Sequence, residues 1–305
     1  MSLIKLTKFM AIEIFVTGSS GFVGSYLRES FRGTFFLKCY ERHSNVKIDS
    51  QVVLHLAGLA HDLKKTKNVK DYYTVNTELT KRIFDDFMSS NAETFVFLSS
   101  VKAAADSVEG ILYEDLTPNP KTHYGKSKLY AENYILSKEA LNNKRIYILR
   151  PCMIHGPNNK GNLNLLYKLV SKRIPWILGL FNNSRSYCSL ENLSFIIREL
   201  ITNKEIPSGV YNVSDDDPID TNDIIRLISN VQNKKAIIWN IPKCLIKCIA
   251  KIGDVLPLPL NSERLNKLTE TYVVSNKKLV DAIGKKLPVN SKKGMLFTLN
   301  SFGEI

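Results

Sequence analysis

Tyr124 and Lys128 stand four residues apart in Tyr124-Gly125-Lys126-Ser127-Lys128, a stretch with helical spacing. On a helix they share one face. An ammonium beside a phenol favours the phenolate, so the tyrosine pKa is expected to fall from about 10 towards working pH. A tyrosine tuned in this way can exchange a proton with a carbonyl or carbinol oxygen. A second candidate group closes the apolar run Phe95-Val96-Phe97-Leu98 with Ser99-Ser100. A serine hydroxyl there can hold the reacting oxygen by a hydrogen bond. The third group is glycine: Gly18, Gly21 and Gly24 in Thr17-Gly18-Ser19-Ser20-Gly21-Phe22-Val23-Gly24. One glycine makes a tight turn, another lets the backbone approach a pyrophosphate, and the last lets helix and strand pack closely. The helix that opens here offers its unpaired N–H groups to the anion. Alone, each group has an ordinary explanation, such as a solvent-facing Tyr–Lys pair or a plain turn. The three in this order are far more specific than any one.

These groups need elements to hold them. The first half alternates strand-like and helix-like stretches, the pattern of a parallel sheet with helices on both faces. Residues 11–17 form an apolar, β-branched run ending in glycine, 22–31 read as a helix, and 34–40 as a second strand. The continuous apolar run at 51–57 predicts a strand buried on both faces. Helical spacing covers 69–90 and 124–141, with strands predicted at 94–99 and 144–150, the last closed by Pro151. The carboxyl ends of parallel strands border a ligand crevice, and the serines and first glycine fall there. After Pro151 come a loop at 156–161 and an amphipathic helix to about Lys172. Further helices are predicted at 191–203, 221–231 and 242–251, with short strands at 210–213 and 236–239. The fold class is therefore α/β: a Rossmann-type doubly wound parallel sheet over residues 10–155, then a smaller mixed α/β lobe over 156–305. Clefts between such lobes are where small ligands usually sit.

Composition removes other classes. The 305 residues are 44 % hydrophobic and 23 % charged, which excludes a disordered chain. No apolar run reaches the roughly 20 residues that cross a bilayer. The basic, then apolar start runs into Thr17-Gly18 rather than a small-residue cleavage site, so a signal peptide is rejected. Met10 offers a second start, which would make residues 1–9 an extension. The net charge of +13 is spread along the chain with no basic block interleaved with aromatics, which argues against nucleic-acid recognition. A diffuse positive field still attracts phosphorylated metabolites and acidic membrane surfaces. Five scattered cysteines, with no histidine beside Cys244 and Cys248, read as reduced buried thiols in a cytoplasmic protein rather than a metal site.

From about residue 12 to about residue 295 the chain resembles the extended short-chain dehydrogenase/reductases, the NAD-dependent epimerase/dehydratase group. The matching stretches are Thr17-to-Gly24, His55-Leu56-Ala57-Gly58, Asn76, Ser99-Ser100, Tyr124-to-Lys128 and Leu149-Arg150-Pro151. The resemblance implies that Tyr124 is the catalytic acid/base, that Lys128 holds the nicotinamide ribose, and that Ser100 bonds the substrate oxygen. Ser99 is the alternative if the alignment slips by one. It further implies dinucleotide contacts from Gly18, Ser20, Gly21, Phe22, Val23, Gly24, Leu56, Ala57, Gly58, Asn76, Ser99 and Pro151. The cofactor-selecting position falls on Tyr40, followed by Glu41, which favours NAD, and Arg42, which suits the extra phosphate of NADP. NADP is favoured because reductases commonly use it. The family's helix between the second and third strands is reduced to residues 41–50, where Asp49 is the acid expected to face the adenine.

The second lobe resembles that of enzymes acting on UDP-sugars. Arg185, in Ser184-Arg185-Ser186-Tyr187-Cys188-Ser189, matches the arginine that grips the nucleotide diphosphate, and its fork suits two oxygens at once. Asn162, at a helix start, and Arg264 are further phosphate or ribose candidates, each with a helix cap or a surface arginine as the plain alternative. The resemblance also implies Lys102 as a substrate contact. Val101-Lys102, Glu114-to-Pro118 and Gly161-Asn162-Leu163 resemble bacterial enzymes of surface polysaccharide synthesis. These include 4-reductases of UDP-4-keto-6-deoxy-N-acetylhexosamines and 4-epimerases. Dehydratases carry an Asp-Glu pair where this chain has Val101-Lys102, so dehydration is not expected. A homodimer through helices 69–90 and 124–141 is expected from the family, with no metal. The competing class is a non-catalytic dinucleotide-binding protein, which usually lacks the Tyr–Lys pair. His55 reads as a structural histidine, His155 as a possible substrate contact, and Trp176 as a uracil platform or an anchor of the second lobe.

Overall fold

Short runs of Val, Ile, Leu and Phe, buried on both faces, build the centre of the protein. The computed structural model describes residues 12–40, 47–59, 68–139, 144–159, 161–256 and 260–303. In chain order the elements are β1 (Glu13–Thr17), α1 (Phe22–Ser30), β2 (Phe36–Cys39), β3 (Val52–His55), α2 (Val69–Tyr72), α3 (Leu79–Met88) and β4 (Thr94–Leu98). Then come β5 (Ile111–Leu112), α4 (His123–Glu139), β6 (Arg145–Pro151), β7 (Met153–His155), α5 (Asn162–Ser171), β8 (Tyr187–Ser189), α6 (Leu190–Thr202) and β9 (Gly209–Val213). The chain ends with α7 (Thr221–Val231), α8 (Lys243–Val255), α9 (Ser262–Thr269), β10 (Val273–Val274), α10 (Lys277–Ile283) and α11 (Ser291–Ser301).

Six strands form one sheet in the order β2-β1-β3-β4-β6-β9, and β7 with β8 and β5 with β10 make two small ones. The pairs from β2 through β6 are parallel, with Val16 opposite Leu54 and Phe97 opposite Ile148. This is the expected doubly wound α/β arrangement. Parallel pairing sends the carboxyl ends of β1, β3 and β4 to one edge, and Gly18, Leu56 and Ser99 follow directly from them.

Contacts divide the chain into two units. The first comprises the residues up to Ser99, Lys121–Leu149 and Leu200–Val210, and the second comprises Ser100–Pro120, Arg150–Glu199 and the residues from Tyr211 on. The core of the first gathers Phe15, Val53, Phe84, Phe95, Ala131 and Ile148. That of the second gathers Leu163, Trp176, Tyr187, Ile224, Ile246 and Met295.

Some expectations change. The helix expected at 69–90 is broken by a π-helical segment, Tyr73–Glu78, which sets Asn76 inward. No strand forms at 236–239, where only isolated bridges from Ile238 to Trp176 and from Asn240 to Leu178 occur. The strand expected at 210–213 is β9, the sixth strand of the main sheet. Of the five cysteines, Cys39, Cys244 and Cys248 are exposed and only Cys152 and Cys188 are buried, which corrects the reading of uniformly buried thiols.

Candidate active site

The turn after β1 is built by close approach. Gly18 has φ +75°, and its carbonyl accepts the Gly21 N–H at 3.1 Å. A Cβ on Gly18 would lie 2.6 Å from the Ala57 nitrogen, and one on Gly24 would lie 2.3 Å from the Gly18 oxygen. Leu56 is tied to the same turn, its N–H donating to the Thr17 carbonyl at 3.1 Å. Gly21 caps α1 with no side-chain hydrogen bond and no acid in the first turn, while Phe22 and Val23 begin the helix half-buried. Ser20 and Gly21 are exposed beside them. The result is a cradle without side-chain obstruction at the positive end of a helix, which fits a dinucleotide pyrophosphate.

His55, at the end of β3, is fully buried between the Thr17 and Thr80 hydroxyl groups, at 2.6 and 2.9 Å. Burial, reinforced by the charge of Lys128, pushes its pKa down to about 3. It is a structural residue. The unfolded chain takes this proton near pH 6.5 and the fold only near 3, so the unfolded state binds the extra proton between those values. Stability is therefore lost as pH falls through that window, by at most about 1.4 kcal/mol per pH unit. Urea unfolding from pH 7 to 4 is expected to show a shallower acid loss in His55→Gln than in wild type; equal slopes would contradict the assignment.

Tyr124 lies on the first turn of α4, its ring 6.1 Å from that of Tyr72, and Lys128 lies one turn further on. Lys128 is only 4 % exposed and donates to the Leu98 carbonyl at 2.9 Å, 4.8 Å from the Phe97 ring centre. A Cβ on Gly58 would fall 2.9 Å from the Lys128 Nζ and 3.1 Å from the Asn76 Oδ1. Gly58, Asn76 and Lys128, separated in sequence, thus stand in contact. Asn76 secures the group by donating to Ser127 Oγ at 3.0 Å and accepting the Leu59 N–H at 2.8 Å.

Burial pushes the Lys128 pKa down to about 8, and the charge of Glu132 opposes the fall. Glu132 was not singled out from the sequence. It is fully buried and accepts a hydrogen bond from the Ser99 hydroxyl. The available signal was its position: Tyr124, Lys128 and Glu132 continue one i, i+4, i+8 face. Ser99 is thus committed to Glu132. The Ser100 oxygen accepts the Lys102 N–H at 3.2 Å at the start of a short turn, Val101–Ala103, which leaves its own proton to donate.

In the second unit, Lys102 donates to the Asp106 carbonyl at 2.6 Å and its Nζ lies 4.2 Å from the Tyr272 ring centre. Burial lowers its pKa; Glu270 and Asp106 oppose this and Arg185 adds to it, so these charges share one neighbourhood. Arg185 donates to the Glu270 carbonyl at 3.0 Å, the Lys267 carbonyl at 2.5 Å and the Glu270 carboxylate at 3.3 Å. Its fork closes the carboxyl end of α9. Asn162 is exposed as the first residue of α5, after a Gly161 cap with no side-chain bond. Arg264 is exposed near the start of α9, its N–H bound to the cap residue Asn261 at 2.8 Å. Pro151 ends β6 and is buried. Asp49 is exposed and pairs with Lys38 at 3.1 Å. Glu41 and Arg42 lie outside the described residues.

Two open alternatives are resolved. His155 is fully buried, with Nδ1 2.8 Å from the Thr298 hydroxyl and Nε2 3.3 Å from the Asp215 carboxylate, so it is not exposed to a ligand. Trp176 is buried and donates to Asn222 at 2.9 Å, which makes it an anchor of the second unit and not a base platform. Among the described residues no group of three His, Cys, Asp or Glu side chains could hold a metal, and no helix is long and apolar enough to cross a membrane.

Residues 41–214 match the model of the NAD dependent epimerase/dehydratase family. The chain belongs to that family. It is therefore an enzyme of the NAD-dependent epimerase/dehydratase type. A UDP-glucose 4-epimerase from Vibrio cholerae is 28 % identical over 96 % of both chains. A GDP-6-deoxy-D-mannose reductase from Pseudomonas aeruginosa is 24 % identical over 73 % of this chain and 81 % of its own. Among solved structures, a UDP-glucuronic acid 4-epimerase from Bacillus cereus with UDP-glucuronic acid and NAD superposes with TM-score 0.76 at 18 % identity, covering 96 % of this chain and 99 % of that one. RMD from Pseudomonas aeruginosa with NADPH gives 0.74 at 19 % identity, covering 95 % and 99 %. These two likenesses concern the fold.

Proposed function

We propose that this enzyme works at C4 of a UDP-linked sugar, reducing the C4 keto group of a UDP-4-keto-6-deoxy-N-acetylhexosamine in surface polysaccharide synthesis, with Tyr124 as the proton donor. The observation that carries the reading is Lys128, buried one helical turn from Tyr124 and held by the Leu98 carbonyl beside Asn76 and Gly58. A lysine placed there is costly unless its charge is used.

In this reading residues 10–155 hold the dinucleotide and 156–305 mainly the nucleotide sugar. Gly18, Ser20, Gly21, Phe22, Val23 and Gly24 receive the pyrophosphate. Leu56, Ala57, Gly58, Asn76, Ser99 and Pro151 flank the rest of the dinucleotide. A bound nicotinamide supplies the hydride that C4 receives. Ser100 donates a hydrogen bond to the C4 oxygen and Tyr124 gives it a proton. Lys128 stabilises the resulting phenolate and binds the nicotinamide ribose. Arg185 exchanges the Glu270 carboxylate for the substrate diphosphate, whose higher charge makes it the stronger partner for a guanidinium. Lys102, Asn162 and Arg264 add further substrate contacts, and Asp49 faces the adenine end. Two copies pair through α2, α3 and α4, where Val69, Tyr130 and Leu136 are exposed.

The Vibrio cholerae relative, matched over nearly its whole length, supports a second reading, a 4-epimerase of UDP-N-acetylglucosamine or UDP-glucose. There Tyr124 first takes the C4 hydroxyl proton and later returns one. One assay separates the two. With the keto sugar and NADPH or NADH, stoichiometric loss of nicotinamide absorbance is the expected result and identifies the cofactor. No loss, with UDP-N-acetylglucosamine or UDP-glucose converted to its C4 epimer, establishes the epimerase. Neither product would overturn the proposal.

A further inference from the structure

α8 carries two apolar stripes. Ile246, Ala250 and Gly253 are buried in the second unit, which accounts for one. The other points to water: Leu245 is 51 % exposed, Ile252 52 % and Val255 86 %. With Cys248, also exposed, these residues follow the i, i+3, i+7, i+10 spacing of a single helix face. Lys243, Lys247 and Lys251, all exposed and four residues apart, run as a row along one edge of that face. Trp239, a few residues before the helix, is half exposed. The helix's one acid, Asp254, accepts bonds from the N–H and hydroxyl of Ser262, which engages its charge. Scattered exposed apolar residues are ordinary, but a continuous stripe beside a row of like charge marks a docking surface.

We propose that this face of α8 docks on an anionic lipid bilayer, the helix lying in the headgroup plane. Leu245, Ile252 and Val255 enter the acyl boundary and the lysine row meets lipid phosphates. Charge complementarity selects this occupant. A second copy pairing antiparallel through the same face would set the two lysine rows side by side, which is unfavourable, and a copy in either direction brings this row no opposite charge. A bilayer presents the opposite charge and accepts the apolar stripe at once. The tryptophan ring is suited to the same interface.

The test is co-sedimentation of the full chain with vesicles of phosphatidylglycerol and phosphatidylcholine, compared with phosphatidylcholine alone. Binding to the anionic vesicles is expected, with weak binding to the neutral ones. Lys243→Ser/Lys247→Ser/Lys251→Ser should reduce partitioning about 100-fold, from roughly fivefold for each lysine. Leu245→Ser/Ile252→Ser/Val255→Ser should also reduce it. Thermal unfolding shows that each variant is folded, and a folded pair of variants binding like wild type would overturn the proposal by assigning attraction to the overall charge of +13. Absence of binding by wild type would overturn it too. So would a change of oligomeric state in the apolar variant without vesicle binding, which would make a second copy the occupant.

Discussion

Tyr124→Phe is expected to lower turnover by about 10³-fold, within the range for loss of a positioned acid or base, while dinucleotide affinity stays within a few-fold of wild type. The phenyl ring keeps the contact with Tyr72, and the glycine turn and Lys128 are untouched. The hydroxyl that carries the transferable proton is removed. Steady-state rates with a fluorescence titration of NADPH or NADH separate these effects. Unchanged turnover would remove Tyr124 from the mechanism, and lost cofactor binding would make its role structural.

Gly24→Ala should abolish dinucleotide binding at concentrations that saturate the wild type. The new Cβ would sit 2.3 Å from the Gly18 oxygen and 2.7 Å from the Ser19 Cα. Both are backbone atoms, so no rotamer relieves the contact and the turn itself must open. Overpacking of this kind costs about 1–3 kcal/mol, so a fall in Tm of several degrees should accompany the loss. Gly21→Ala compares the strain alone: its Cβ would meet only the Gly18 oxygen, at 3.3 Å, which a slight shift accommodates, so its Tm should fall less. Calorimetry of both variants checks the order, and cofactor titration of Gly24→Ala checks the loss. Wild-type affinity in Gly24→Ala would mean that this turn does not cradle the pyrophosphate.

How much was legible depended on how local each signal is. The strands β1, β3, β4 and β6 were readable because parallel strands buried on both faces must be continuous apolar runs. The glycine turn and the Tyr–Lys pair were readable because their spacing is set within a few residues. Elements of two or three residues, such as β5, β7 and β10, are too short to show a period. α11 buries Ser291, Gly294 and Thr298 beside Met295 and Leu299, so its core face is not purely apolar in sequence. The partners of Arg185 lie 82–85 residues away, at the end of α9, and no spacing within Ser184-Arg185-Ser186 announces them. His155 and Trp176 were open to a ligand role because a polar tip is visible in sequence whereas its burial is not. Glu132 shows the reverse case: a carboxylate on the Tyr124–Lys128 face was in plain view, but its bond to Ser99 depends on β4 lying beside α4.

Redox chemistry at C4 is tested by running the keto-sugar incubation with NADPH or NADH deuterated at the transferred position of the nicotinamide. Deuterium at C4 of the product, in one equivalent and absent with Tyr124→Phe over the same time, is the predicted result. A product without deuterium at C4, or label appearing at another carbon, would contradict it.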